Sequence, residues 1–127
     1  MNDYVLDASA ILAFLNSESG GERVAEILEN AVISAVNLSE VVTKLLETGI
    51  TEVEIRLILD YLSCEIIPFG ELEAISAAKL KPLTRHLGLS LGDRACLSLA
   101  SQLGKIAVTA DKTWGSLNIG IAIEIIR

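Results

Sequence analysis

Four acidic residues, Asp7, Glu40, Asp93 and Asp111, are the best placed in this chain to do chemistry. Asp7 closes the apolar run YVL, and Asp111 follows IAVT in the stretch VTAD. Glu40 and Asp93 fall in the first turns of two expected helices. Each has an ordinary explanation. Asp7 suits the N-cap of a helix starting at Ala8. Asn37–Glu40 and Ser90–Asp93 both fit the capping box, with the acid three residues after the cap. Asp111 suits a turn. Together they suggest more. Carboxylates within ~6 Å of one another repel and raise each other's pKa, so gathering them requires a cation. Mg²⁺ takes carboxylates, keeps waters and accepts phosphate oxygens, and Mn²⁺ suits the same ligands. Other chemistries lack their parts. His86 is the only histidine, which disfavours a zinc site or a Ser–His–Asp triad. Neither GxxxxGK[ST] nor a GxGxxG following a strand is present.

The elements that must position these acids alternate along the chain. Strands are expected at Tyr4–Leu6, Ala31–Ala35, Cys64–Phe69, Ile106–Thr109 and Ile123–Ile126. Helices are expected at Ala8–Asn16, Gly20–Asn30, Leu38–Glu47, Thr51–Ser63, Leu72–Lys81 and Leu91–Leu103. Strands separated by helices imply right-handed crossovers and a mainly parallel sheet. Near-continuous apolar strands agree, because such a sheet is covered on both faces. Function in these folds gathers beyond the carboxyl ends of the strands. All four acids then face one rim.

The 127 residues suit a single domain spanning 1–127. The chain is 51% hydrophobic and only 4% aromatic, with a mean hydropathy of +0.52. That composition excludes disorder and favours an aliphatic core of helices on a sheet. Ten basic and seventeen acidic residues give a net charge of −7. A basic nucleic-acid coat is therefore absent, although a local metal site can outweigh net charge. No apolar run reaches the 18 or so residues of a membrane span. The opening MNDYVLDASA lacks a basic n-region. A cytoplasmic protein is expected, with Cys64 and Cys96 as buried, reduced thiols rather than a bridge.

Four strings carry a resemblance: VLDASA, NLSEV, LSLGDRACLSLA and VTADKTW. Together with the order of the acids, they resemble the PIN-domain family, and within it the VapC-type toxin ribonucleases of toxin–antitoxin pairs. The similarity spans essentially the whole chain, and LSLGDRACLSLA is its most specific piece. It implies a three-layer α/β/α sandwich around a mainly parallel sheet. It also implies Mg²⁺- or Mn²⁺-dependent cleavage of RNA. The family's acidic quartet falls on Asp7, Glu40, Asp93 and Asp111. Its small hydroxyl residue falls on Ser9, and the threonine before its last acid on Thr109. On this reading Asp7 and Asp93 hold the main ion, and Glu40 and Asp111 complete the site. The ion polarises a phosphoryl oxygen and lowers the pKa of a bound water. One of the acids takes the proton, Glu40 being the candidate. Ser9 bonds a ligand carboxylate or the phosphate, or only its own helix start. Thr109 orients Asp111, or is an ordinary strand residue.

Several cations could meet the RNA backbone: Arg94, Lys112, and Lys79, Lys81, Arg85 and His86 in KLKPLTRH. Each also reads as a solvated or loop residue. Trp114 stacks a base or packs against the sheet edge. On the helix Thr51–Ser63, Glu52, Arg56 and Asp60 share one narrow polar face and apolar residues cover most of the rest, so the apolar surface exceeds what one buried stripe needs. That surplus implies a homodimer interface, a groove for a partner helix, or a helix wedged in its own domain. The resemblance implies dimerisation and a cognate antitoxin that blocks the site with a basic side chain. Two alternatives remain: a catalytically silent PIN-like binding module, and a metal-dependent phosphatase. Haloacid-dehalogenase-like phosphatases want DxD, and here Ser9 holds the third position. A receiver-type signalling domain wants paired acids after its first strand, which this chain lacks.

Overall fold

A computed structural model describes residues 3–127. Met1 and Asn2, which open the expected domain, lie outside the described residues. Five strands form one all-parallel sheet: β1 (Tyr4–Leu6), β2 (Ala31–Ser34), β3 (Glu65–Ile67), β4 (Ile106–Thr109) and β5 (Ile123–Ile125). Their order is β3-β2-β1-β4-β5. Val5 pairs with Val32 on one side and Ala107 on the other. Among the described residues, seven helices connect and cover the sheet: α1 (Ala8–Leu15), α2 (Gly21–Ile27), α3 (Ala35–Glu47), α4 (Glu52–Leu62), α5 (Glu71–Lys79), α6 (Lys81–Thr84) and α7 (Leu91–Leu103). The α/β/α sandwich expected from the sequence is present.

Strand alternation divides the core in two. Leu6, Ile33 and Val108 face α1–α4, meeting Ile11, Val24, Val41 and Ile55. Val5, Val32 and Ala107 face the other way, onto Cys96, Leu97 and Ala100 of α7. Trp114 joins this second core and is fully buried, so its ring packs and is not free to stack a base.

The strand order reverses direction between β1 and β4. The chain steps outward from β1 to β2 and β3, then crosses to β4 and β5. A parallel sheet opens a crevice at such a reversal, beyond the carboxyl ends of the two central strands. Asp7 and Asp111 are the acids that follow those two strands.

Several boundaries differ from expectation. The helix expected at Leu38 starts three residues earlier, because the Ser34 hydroxyl accepts from the Val36 amide and caps α3 directly at the end of β2. Asn37 and Glu40 therefore form no capping box. Asn37 lies in the first turn, and Glu40 one turn further in. KLKPLTRH is not a loop. Its Lys79 ends α5, and the rest folds into α6, with Pro82 in its first turn, and a 3₁₀ turn at Arg85–Leu87. The end of the helix expected to Asn30 tightens into a 3₁₀ turn at Leu28–Asn30. Cys64 is half-buried rather than buried, and both cysteines are free.

The surplus apolar face of α4 is not wedged inside the domain. Ile55 and Leu62 are buried, whereas Val53, Leu57 and Tyr61 remain 71%, 65% and 75% exposed. Among the described residues no helix is long and apolar enough to cross a membrane.

Candidate functional site

Asp7, Glu40, Asp93 and Asp111 line one open cavity of about 410 Å³, with Ala8, Ser9, Leu12, Ser39, Thr43 and Lys44. Four separate elements deliver the acids. Asp7 follows β1, Glu40 projects from α3, Asp93 opens α7, and Asp111 follows β4. Lys44 is the one cation among these lining residues. Arg94, Lys112, Lys81 and Arg85 do not line the cavity. Arg94 instead donates to the Ala77 carbonyl at 3.0 Å, fastening α7 to α5.

For Asp7, Asp93 and Asp111, lining the cavity and capping a local turn go together. Asp7 is the N-cap of α1 and accepts from the Ala10 amide at 2.9 Å. Asp93 completes a capping box with Ser90, taking the Ser90 amide at 2.9 Å on Oδ2. Asp111 Oδ1 accepts from the Thr113 amide and hydroxyl at 2.9 and 2.8 Å. These local bonds use one carboxylate oxygen of Asp93 and of Asp111. Among the described residues the other oxygens, Asp93 Oδ1 and Asp111 Oδ2, accept no hydrogen bond, nor does Glu40 Oε2.

Asp7 is held most tightly. The Ser9 hydroxyl donates to Oδ1 at 2.7 Å and the Thr109 hydroxyl to Oδ2 at 2.6 Å. Each hydroxyl in turn accepts from the segment after β4: Ser9 from the Ala110 amide at 2.9 Å, Thr109 from the Asp111 amide at 3.0 Å. Two relays thus tie the ends of β1 and β4 together. Thr109 orients Asp7; the Asp111 side chain is fixed by Thr113 instead. Burial dominates the Asp7 carboxyl and pushes its pKa from 3.8 up to about 6. The hydrogen bonds oppose that shift, and nearby Asp93 adds to it.

Sequence reasoning missed Asn37 except as a cap. It is buried, and its side-chain NH₂ donates to Glu40 Oε1 at 2.9 Å and to the Gly92 carbonyl at 3.0 Å. Only the true helix start, set by Ser34, turns this residue inward.

The donor set is all oxygen, and it fits a hard divalent cation better than a soft one. Among the described residues no three acidic, histidine or cysteine side chains already converge as a ligand set. The fit rests instead on four acids that line a common cavity, with one oxygen each of Glu40, Asp93 and Asp111 accepting no hydrogen bond.

A family model for the PIN domain matches residues 4–118. The chain belongs to the PIN-domain family. Solved structures agree in fold. A chain of DNA-bound VapBC from Salmonella typhimurium is 20% identical, with a TM-score of 0.76 and 100% of both chains covered. A chain of a toxin–antitoxin complex from Klebsiella pneumoniae is 16% identical, with a TM-score of 0.73 and 98% of each chain covered. VapBC-5 from Mycobacterium tuberculosis, of the VapBC family of toxin–antitoxin systems, is 23% identical, with a TM-score of 0.65 and coverage of 97% and 96%. Comparison with curated proteins gave no match. In this PIN domain the four acids stand at the strand-order reversal.

Proposed function

We propose that this PIN domain is a VapC-like toxin: an endoribonuclease that hydrolyses RNA phosphodiester bonds with Mg²⁺ or Mn²⁺ held by Asp7, Glu40, Asp93 and Asp111. One observation carries the reading. Four carboxylates from four elements line a single cavity at the carboxyl rim of the sheet, with one lysine beside them. A bound divalent ion supplies Lewis acidity at a phosphoryl oxygen and a bound water of lowered pKa.

The chain's own residues do the rest. Ser9 and Thr109 fix both oxygens of Asp7. Asp93 and Asp111 are anchored by one oxygen each and keep the other free. One of the four acids accepts the proton of the attacking water. Lys44, at the cavity wall, is the cation best placed to meet a phosphate.

A cognate antitoxin and a homodimer belong to the same proposal. Solved neighbours include a toxin–antitoxin complex and a member of the VapBC family of toxin–antitoxin systems. Val53, Leu57 and Tyr61 on α4 form an exposed apolar stripe suited to such a contact.

The test is RNA cleavage by the purified chain with Mg²⁺, with EDTA, and by Asp7→Asn, with sequencing of the RNA ends. New ends that appear only with wild type and metal support the proposal. Identical ends in wild type and Asp7→Asn reject it. Cleavage indifferent to EDTA rejects the metal. No cleavage of any RNA points to the silent binding module.

A further inference from the structure

Asn37 is 1% exposed, a position that an apolar side chain usually fills. Ser34 already caps α3, so Asn37 is not needed for that task. Its two N–H groups reach two acceptors, Glu40 Oε1 and the Gly92 carbonyl. Because both partners accept, the amide can point only one way. Its Oδ1 is consequently buried without a hydrogen-bond partner. Burying a carbonyl oxygen unpaired is unfavourable, and an aliphatic side chain would avoid it. A cost of this kind calls for a compensating role.

Gly92 supplies a second, independent observation. It sits in the first turn of α7 with no positive φ, so its backbone does not require glycine. A Cβ there would overlap the Glu40 carboxylate, so a larger residue would make that side chain swing aside. Glycine inside a helix weakens it relative to alanine. Here it opens the room that the carboxylate fills. The Glu40 carboxylate is thus held from two sides, by a hydrogen bond from its own helix and by a notch in the next.

We propose that Asn37 is a positioning residue, with Gly92 as its counterpart: the amide bridge from Glu40 to the Gly92 carbonyl seats the Glu40 carboxylate in the Gly92 notch, beside Asp93, with Oε2 free for a divalent cation. This rests on the metal reading proposed above. It adds to that reading a residue outside the acidic quartet, and it couples α3 to α7 through the site. A plain packing staple between helices would change stability alone. A positioning residue changes the affinity of the ion that Glu40 helps to hold.

The test uses the full chain, stripped with EDTA and dialysed, titrated with Mn²⁺ in a calorimeter alongside thermal melts. Asn37→Ala should weaken Mn²⁺ binding roughly tenfold, the lower end of what losing a ligand's supporting hydrogen bond costs. Gly92→Ala, which leaves Asn37 in place, should weaken it comparably by displacing the carboxylate. In Glu40→Gln, adding Asn37→Ala should cost little more, because both changes act through one side chain. Unchanged Mn²⁺ affinity in Asn37→Ala, whatever its melting temperature, overturns the positioning role and leaves the metal reading standing. If Asn37→Ala does not fold, unchanged affinity in Gly92→Ala overturns it equally. A wild-type chain that binds no Mn²⁺ overturns both.

Discussion

Two groups of acids in this PIN domain are satisfied in opposite ways. On the flank of the sheet, Glu124 of β5 receives both forks of the Arg23 guanidinium, at 2.6 and 3.2 Å. The same guanidinium reaches the Tyr4 hydroxyl at 3.3 Å and lies 5.7 Å from the ring centre. At the carboxyl rim, the four acids take only hydroxyls and amides, and the cavity's one lysine, Lys44, pairs with Glu47 at 3.7 Å. None of the ion pairs among the described residues includes Asp7, Glu40, Asp93 or Asp111. The chain pairs an acid with a cation where the role is to fasten helix to strand. Where it leaves acids unpaired around a cavity, their charge stays available, as the proposed cation would require.

The sharpest way to break that contrast is to give the rim what the flank already has. Ser39 is exposed and lines the cavity one residue before Glu40. Ser39→Arg places a guanidinium among the carboxylates, where it competes for the oxygens that would take a metal. Metal-dependent RNA cleavage should fall on the order of 10³-fold, equivalent to about 4 kcal/mol of lost transition-state stabilisation. The melting temperature of the metal-free chain should rise at the same time. A cleavage assay paired with a thermal melt checks both. Unchanged cleavage would mean the acids are not the reacting site.

The contrast also appears in pH dependence. Folding raises the Asp7 pKa from 3.8 to about 6, so the folded chain favours the protonated carboxyl. That preference contributes stability fully below pH 3.8 and is lost as pH rises through about 6. Asp7→Asn removes it. In EDTA, wild type and variant should be of similar stability near pH 4. Above pH 6 the variant should be the more stable by about 3 kcal/mol. Urea unfolding at a series of pH values reads the difference. A gap that does not widen with pH would show that burial does not strain this carboxylate. Asp7→Asn should also be inactive, the trade of stability against function expected at a binding site.

Much of this was legible in the sequence because the signals were local. Short apolar runs that lead into Asp7 and Asp111 mark two strands and the rim positions just beyond them. Thr51 with Glu54, and Ser90 with Asp93, mark helix starts that the structure reproduces as capping boxes. The features that escaped depended on tertiary context. The motif NLSE looks like a cap only if the helix begins after it. Ser34 starts the helix earlier, and one turn's displacement converts Asn37 from a surface cap to a buried bridge. Arg94 looks free beside Asp93, but the neighbouring α5 offers it the Ala77 carbonyl. KLKPLTRH has the composition of a loop, yet proline is tolerated in a first helical turn, and α6 uses it there. Spacing along a chain reports which residues share an element. It does not report which neighbour they meet across the fold.

The smallest expected effect lies on the flank. Arg23→Ala removes the bidentate contact to Glu124 and the contact to Tyr4 together. The Arg23 and Glu124 side chains are 38% and 29% exposed, so water screens the pair and replaces part of what is lost. Glu124, left without its partner, can turn to solvent, which the buried carboxylate of Asp7 cannot do. The melting temperature should drop slightly, with RNA cleavage and its Mg²⁺ dependence unchanged. Measured beside Ser39→Arg, this variant separates the two classes of acid. One change should cost stability without touching cleavage, and the other should abolish cleavage while adding stability. A loss of cleavage in folded Arg23→Ala would show that the flank is coupled to the rim through β1, the strand that runs from Tyr4 to Leu6 and leads into Asp7.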